Sequence, residues 1–251
     1  MTTVHVRCGS RLHFGLLCAP AGDPWHYGGI GMMINEPRWE FALKPTARRS
    51  ADDVIECAAA ETQQRCRNIL QCFRSVYSQL PSVELSVTAE PAFHSGLGCG
   101  TQLTLSLATA CLLVCGLPRP ADAAKELAPL FGRSRRSAVG SIGFDRGGFV
   151  VDYGAGRDEE SDRPFRRLTV PEDWQMVLLT PRNARGLFGS SEESVFSEQR
   201  SLNSETVAEI ASLVDERLVP SLVAADIAGF RDSLAEYGRH VGEYYAPIQG
   251  G

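Results

Sequence analysis

Glu90-Pro91-Ala92-Phe93-His94-Ser95-Gly96-Leu97-Gly98-Cys99-Gly100-Thr101-Gln102 decides how this chain is read. Just before it, Val83, Leu85 and Val87 alternate with Glu84, Ser86 and Thr88, the period of a half-buried strand. Just after it, Leu103, Leu107, Cys111 and Val114 mark a long apolar helix. A strand therefore enters a glycine-rich loop, and the loop opens a helix. Without a Cβ, Gly96, Gly98 and Gly100 let the backbone approach a ligand closely. The first-turn amides near Thr101 lack intrahelical acceptors and, with the helix dipole, favour an anion. A phosphate or diphosphate is the expected guest. The expected phosphate-binding residues are Ser95, Gly96, Leu97, Gly98, Cys99, Gly100 and Thr101. The plain alternative is a tight turn without a ligand. Neither common phosphate fingerprint fits. A Walker loop needs Gly-Lys-Ser/Thr where this chain has Gly100-Thr101-Gln102, and the dinucleotide pattern needs a different glycine spacing.

Outward from the loop, residues 4–8 and 12–18 read as two short strands. At the start of the second, Arg11 and His13 share one face while Leu12 and Phe14 take the other, which marks a wet cleft on the Arg11 side. Residues 27–31, Tyr-Gly-Gly-Ile-Gly, read as a close-approach loop or a turn, and residues 39–43 as a strand. Ile69, Leu70, Phe73, Val76, Tyr77 and Leu80 share a helical face within residues 58–80. A second helix is expected over 121–131. Residues 132–148 are rich in arginine and glycine and read as irregular, and 148–153 as a strand. The run RDEESD at 157–162 reads as a solvated loop. Strands are expected at 165–170 and 174–180, then the loop PRNARGLFGSS at 181–191, then helices near 192–199, 204–217 and 222–245. The change of character near 155–165 predicts two domains, 1–160 and 161–251.

The 251 residues carry 43% hydrophobic and 22% charged side chains, enough for a core and unlike a disordered chain. A net charge of −5 argues against non-specific nucleic-acid or membrane-surface binding. No apolar run is long enough for a membrane span, and the start shows no leader pattern, so a cytoplasmic protein is expected. The eight cysteines form no CxxC or zinc-finger spacing and read as reduced, mostly buried thiols. Lys44 and Lys125 are the only lysines, which leaves almost no place for a Schiff-base or Walker lysine.

The stretch P-x-x-x-S-G-L-G-x-G resembles the second motif of the GHMP kinase superfamily. Within it the chain is similar to the β-ribofuranosylaminobenzene 5'-phosphate synthases of methanopterin biosynthesis. Further support comes from Ser10-Arg11-Leu12-His13-Phe14-Gly15-Leu16, from Gly132 to Gly140 (GRSRRSAVG) and from Gly143 to Asp152 (GFDRGGFVVD). Two departures stand out. Cys99-Gly100 replaces the usual Ser-Ser, and the third superfamily motif is not reached, so the chain reads as truncated at its C-terminal end.

The resemblance implies an α+β fold in two layers, with a GHMP-type N-terminal domain and a partial C-terminal one. It implies a transferase that joins phosphoribosyl pyrophosphate to a para-substituted benzoate and releases carbon dioxide and pyrophosphate. In that reading Asp145, Arg11 and His13 are the expected catalytic residues, with Asp152 the next carboxylate in line. Arg135, Arg136, Ser137, Arg182 and Arg185 are the expected substrate-binding residues, because arginine holds carboxylate and phosphate bidentately. Mg²⁺ is the expected cofactor, without assigned ligands. The expected partners are the two small-molecule substrates and, at most, a second copy in a homodimer. Two other readings stay open: an ATP-dependent small-molecule kinase of the same superfamily, and a phosphate- or nucleotide-binding regulator without catalysis.

Overall fold

The computed structural model describes residues 2–17, 28–46, 52–93, 95–133, 137–154, 164–179 and 204–249. Its centre is a long antiparallel pair, β1 (Val4–Leu17) and β2 (Gly28–Pro45). β1 runs along one edge of β2. The other edge is shared. Residues 40–45 pair with β4 (Val83–Ala89) and residues 29–32 with β5 (Phe149–Asp152). β3 (Val54–Glu56) lies parallel to β4, and β6 (Phe165–Leu168) closes the other end antiparallel to β5. The first strand beyond residue 160 thus joins the same sheet.

Two apolar clusters lie on opposite faces of β2. Trp39, Phe41 and Leu43 pack under α1 (Ala60–Val76) and α2 (Cys99–Val114). Ile30 and Met32, with Phe149 and Val151, pack under α5 (Ser204–Ser212), the π-helical turn Leu213–Leu218, α6 (Val219–Val223) and α7 (Ile227–Gln249). Odd positions of β2 serve one cluster and even positions the other, as the pleat requires. The expected α+β class is borne out. α2 is buried on nearly every side from Gln102 to Leu112, which explains why its sequence is apolar all round.

β1 does not keep one face throughout. Val4, Val6 and Cys8 pack with the α1–α2 cluster, but Leu12 and Phe14 pack with the α5–α7 cluster. The register changes between the Cys8–Trp39 and Ser10–Ile34 pairs, where Gly9 alone spans the gap that residues 35–38 fill on β2. Such a bulge exchanges the faces of the residues beyond it. It turns Arg11 and His13 toward α2 and α4.

Five expectations change. The two N-terminal strands are one bulged strand. The glycines at 28–31 lie within β2. The helix expected over 121–131 is a four-residue α3 (Ala123–Glu126) followed by a 3₁₀ turn, Ala128–Phe131, as Pro129 interrupts the α pattern. Residues 139–146, expected irregular, form α4 (Val139–Arg146). Its glycines permit close packing: a Cβ at Gly143 would meet Met33 Cγ at 2.5 Å, and one at Gly140 would meet Arg11 Cδ at 3.2 Å. Residues 174–179 are not a strand, and the helix near 192–199 and the run at 157–162 fall outside the described residues. No helix among the described residues is long and apolar enough to cross a membrane. Among the described residues seven cysteines are free thiols, and burial pushes Cys8 and Cys66 up to about 12, so both stay protonated.

Candidate active site

The loop between β4 and α2 is tied to β1 and not only to its own helix. Arg11 N donates to Leu97 O at 2.9 Å, and Gly98 O accepts from Thr101 N at 3.1 Å as α2 begins. Gly98 is the N-cap with φ +63°, a left-handed conformation. A Cβ there would lie 2.6 Å from Arg11 Nε and 3.2 Å from Arg11 Cβ. Glycine is thus required at Gly98 twice over, by φ and by the guanidinium pressed against it.

The side chains of the loop are mostly spent on the loop itself. Ser95 Oγ donates to Ala92 O at 2.7 Å. The Cys99 thiol is buried, donates to Ala92 O and is pushed up by burial, while Cys99 O accepts from Trp39 Nε1 at 3.0 Å. What the loop offers a ligand is backbone. Where the resemblance expects Ser-Ser, Cys99 has become a core side chain.

On the β1 side, His13 Nε2 lies 3.0 Å from Ser137 Oγ, at the entry to α4. Burial, and then the Arg11 charge, push His13 down to about 3, so the ring is neutral at neutral pH. Val139 N donates to Ser137 Oγ at 3.4 Å. The segment is held from below by Asp152, which is buried and accepts from Ala138 N at 2.9 Å and Gly154 N at 3.1 Å. Gln102, fully buried, donates to Gly140 O at 2.8 Å and couples α2 to α4. Arg11, His13, Gly98, Ser137 and Gly140 are thereby gathered at one corner, where β1, the loop and α4 meet.

Asp145 is not brought to this corner. It lies five residues beyond Gly140, about 140° round the helix. Its carboxylate accepts from Ala123 N at 2.8 Å and faces Arg119 at 3.5 Å. Burial raises its pKa, opposed by those two partners. This is the position of a residue that fastens α3 to α4. Arg135, Arg136, Arg182, Arg185 and His94 fall outside the described residues.

Two residues that sequence reasoning passed over stand on the other side of the loop. A Cβ at Gly100 would have Arg133 Nη2 and Arg65 Nη1 each at 3.8 Å. Arg133 follows the 3₁₀ turn and donates to Thr104 Oγ1 at 3.3 Å. Arg65, on α1, pairs with Glu61 at 2.7 Å and lies over the Phe93 ring at 4.4 Å. Arg133 lies in the same arginine-rich run as Arg135, which was the available signal. Arg65 had none, being one of several arginines on a helix surface. Among the described residues no three His, Cys, Asp or Glu side chains gather to hold a metal ion.

The architecture is that of the GHMP kinases. A phosphomevalonate kinase from Streptococcus pneumoniae superposes with a TM-score of 0.65 at 11% identity, covering 97% of this chain and 80% of that one. A mevalonate diphosphate decarboxylase from Enterococcus faecalis superposes with a TM-score of 0.60 at 13% identity, over 97% and 74%. In sequence, the chain is similar to proteins named for a different activity. A β-ribofuranosylphenol 5'-phosphate synthase from Methanothermobacter thermautotrophicus is 28% identical over 90% of this chain and 73% of its own length. One from Archaeoglobus fulgidus is 28% identical over 92% and 74%. The resemblance drawn from the motifs is thus borne out over most of the chain. No family model matches the chain.

Proposed function

We propose that this protein is a pentosyltransferase of methanopterin biosynthesis that condenses phosphoribosyl pyrophosphate with a para-substituted benzoate. The observation that carries the reading is its similarity, across about nine-tenths of its length, to synthases named for a ribofuranosylphenol phosphate. That name puts a hydroxyl on the ring, which within the expected para-substituted benzoates makes 4-hydroxybenzoate the proposed acceptor.

In this reading the C1–O bond of the ribose breaks and diphosphate leaves with the electron pair. The ring carbon bearing the carboxylate bonds to C1, and the electrons of the ring–carboxylate bond return to the ring as carbon dioxide departs. The α2 amides and the arginines around the loop offset the charge of the leaving diphosphate. Arg11 supplies a cation at the same corner. Neutral His13 and Ser137 supply hydrogen bonds there without adding positive charge beside the developing oxocarbenium ion. Asp145 carries no step in this proposal, given its place against α3. Mg²⁺ is proposed as an ion that arrives with the diphosphate, held by phosphate oxygens and water. The experiment is incubation with phosphoribosyl pyrophosphate and 4-hydroxybenzoate, with carbon dioxide and pyrophosphate measured together. Equal release of both is expected. ATP consumption with a hydroxylated acceptor, and no carbon dioxide release, would give the kinase reading instead.

A further inference from the structure

Arg133 is an unusual arginine. Among the described residues its guanidinium has no carboxylate partner, its Nε is buried without a hydrogen-bond partner, and the one hydrogen bond of its side chain is the 3.3 Å contact to Thr104 Oγ1. Burial, and then the nearby Arg65 charge, lower its pKa. A cation taken out of water beside a second cation is unfavourable unless an anion joins them. Both guanidinium groups reach the space outside Gly100, in the first turn of α2, where helix amides already favour negative charge. Arg65 is steadied there by Glu61 and by the Phe93 face, which fixes its direction without filling that space.

We infer that Arg65 and Arg133 form a second cationic station of the loop, on its α1 side, that binds a diphosphate group. The first station, Arg11, lies against Gly98 on the β1 side. The pair makes room for an oxygen where any side chain at residue 100 would project. The inference rests on the proposed donor for its substrate but not for its test, which needs no turnover.

The test is calorimetry with inorganic pyrophosphate on the wild type, Arg133→Met, Arg133→Lys and Arg65→Met, with ribose 5-phosphate as the comparison ligand. The expected result is a tenfold or greater loss of pyrophosphate affinity in Arg133→Met, partial recovery in Arg133→Lys and a several-fold loss in Arg65→Met. Ribose 5-phosphate affinity should change less. A second measurement needs no variant. Pyrophosphate should protect Arg65 of the wild type from phenylglyoxal, read by mass spectrometry. Unchanged pyrophosphate affinity in a folded Arg133→Met, a larger effect on ribose 5-phosphate, or labelling of Arg65 that ignores pyrophosphate would each overturn the inference. If the variants lose pyrophosphate while the wild type releases no carbon dioxide, the station stands and the synthase reading falls.

Discussion

Gly98 and Gly100 lie two residues apart in one loop and do opposite work. Gly98 is crowded. Its φ is +63°, and Arg11 occupies the place of a side chain. Gly100 is helical and open, with its nearest side-chain atoms at 3.8 Å. One glycine is demanded by the protein's own conformation. The other leaves a space that the protein does not fill. Glycines in a phosphate loop therefore need not share a reason, and substitution separates the reasons.

The largest effect is expected from Gly98→Val. A β-branched residue in the left-handed region, against the Arg11 side chain, should destabilise the protein by about 2 kcal/mol or more. Displacement of the loop should abolish pyrophosphate binding in calorimetry. Retained affinity would reduce the loop to a plain turn.

His13→Asn tests the β1 side by pH. The folded pKa of about 3 lies below the ordinary 6.5, so the unfolded chain takes up a proton that the folded chain refuses. The stability at stake is fully present above pH 6.5 and is lost progressively as pH falls toward 3. At pH 5 the loss is up to about 2 kcal/mol. Urea unfolding at pH 7 and pH 5 should show a smaller decline in the variant than in the wild type. Equal declines would place the acid sensitivity elsewhere.

Gly100→Ala should do the reverse of Gly98→Val. An ordinary φ and a 3.8 Å clearance accept a methyl, and helix propensity favours it by up to about 1 kcal/mol. Thermal stability should hold or rise while pyrophosphate affinity falls. A variant that loses both would erase the contrast between the two glycines.

Asp145→Asn should be the mildest. The amide oxygen can still accept from Ala123 N, and the Arg119 pair is partly exposed, so stability should change by no more than about 1 kcal/mol. Turnover should stay within a few-fold. A fall of about 10²–10³ would restore a charge-stabilising role for this carboxylate.

The elements with a clean period were legible. β4 showed its alternation, α1 its helical face, and α2 its glycine-loop entry and apolar run. α4 was not, because Gly140 and Gly143 look like helix breakers until their neighbours Arg11 and Met33 are known. The shared face of Arg11 and His13 could be read, since residues two apart on an unbroken stretch of strand share a face. Which helices that face would meet could not, because the bulge at Gly9 depends on what β2 does opposite it. Asp145 was singled out by motif position, and a motif carries no information about how far a short helix turns before its end. Arg65 reaches the loop through tertiary packing alone.

That bulge has a bearing on insertions and deletions. From Ser10 to His13, where the register next shifts, each residue of β1 is assigned to a face by counting from the bulge. Loss of one residue between Cys8 and Ser10 would send Arg11 and His13 among the aromatic rings beneath α7, and would present Leu12 and Phe14 to the phosphate loop. A change of the same size in a surface turn would leave both faces intact. The active corner is thus written in a reading frame of side chains, and a single glycine sets the frame.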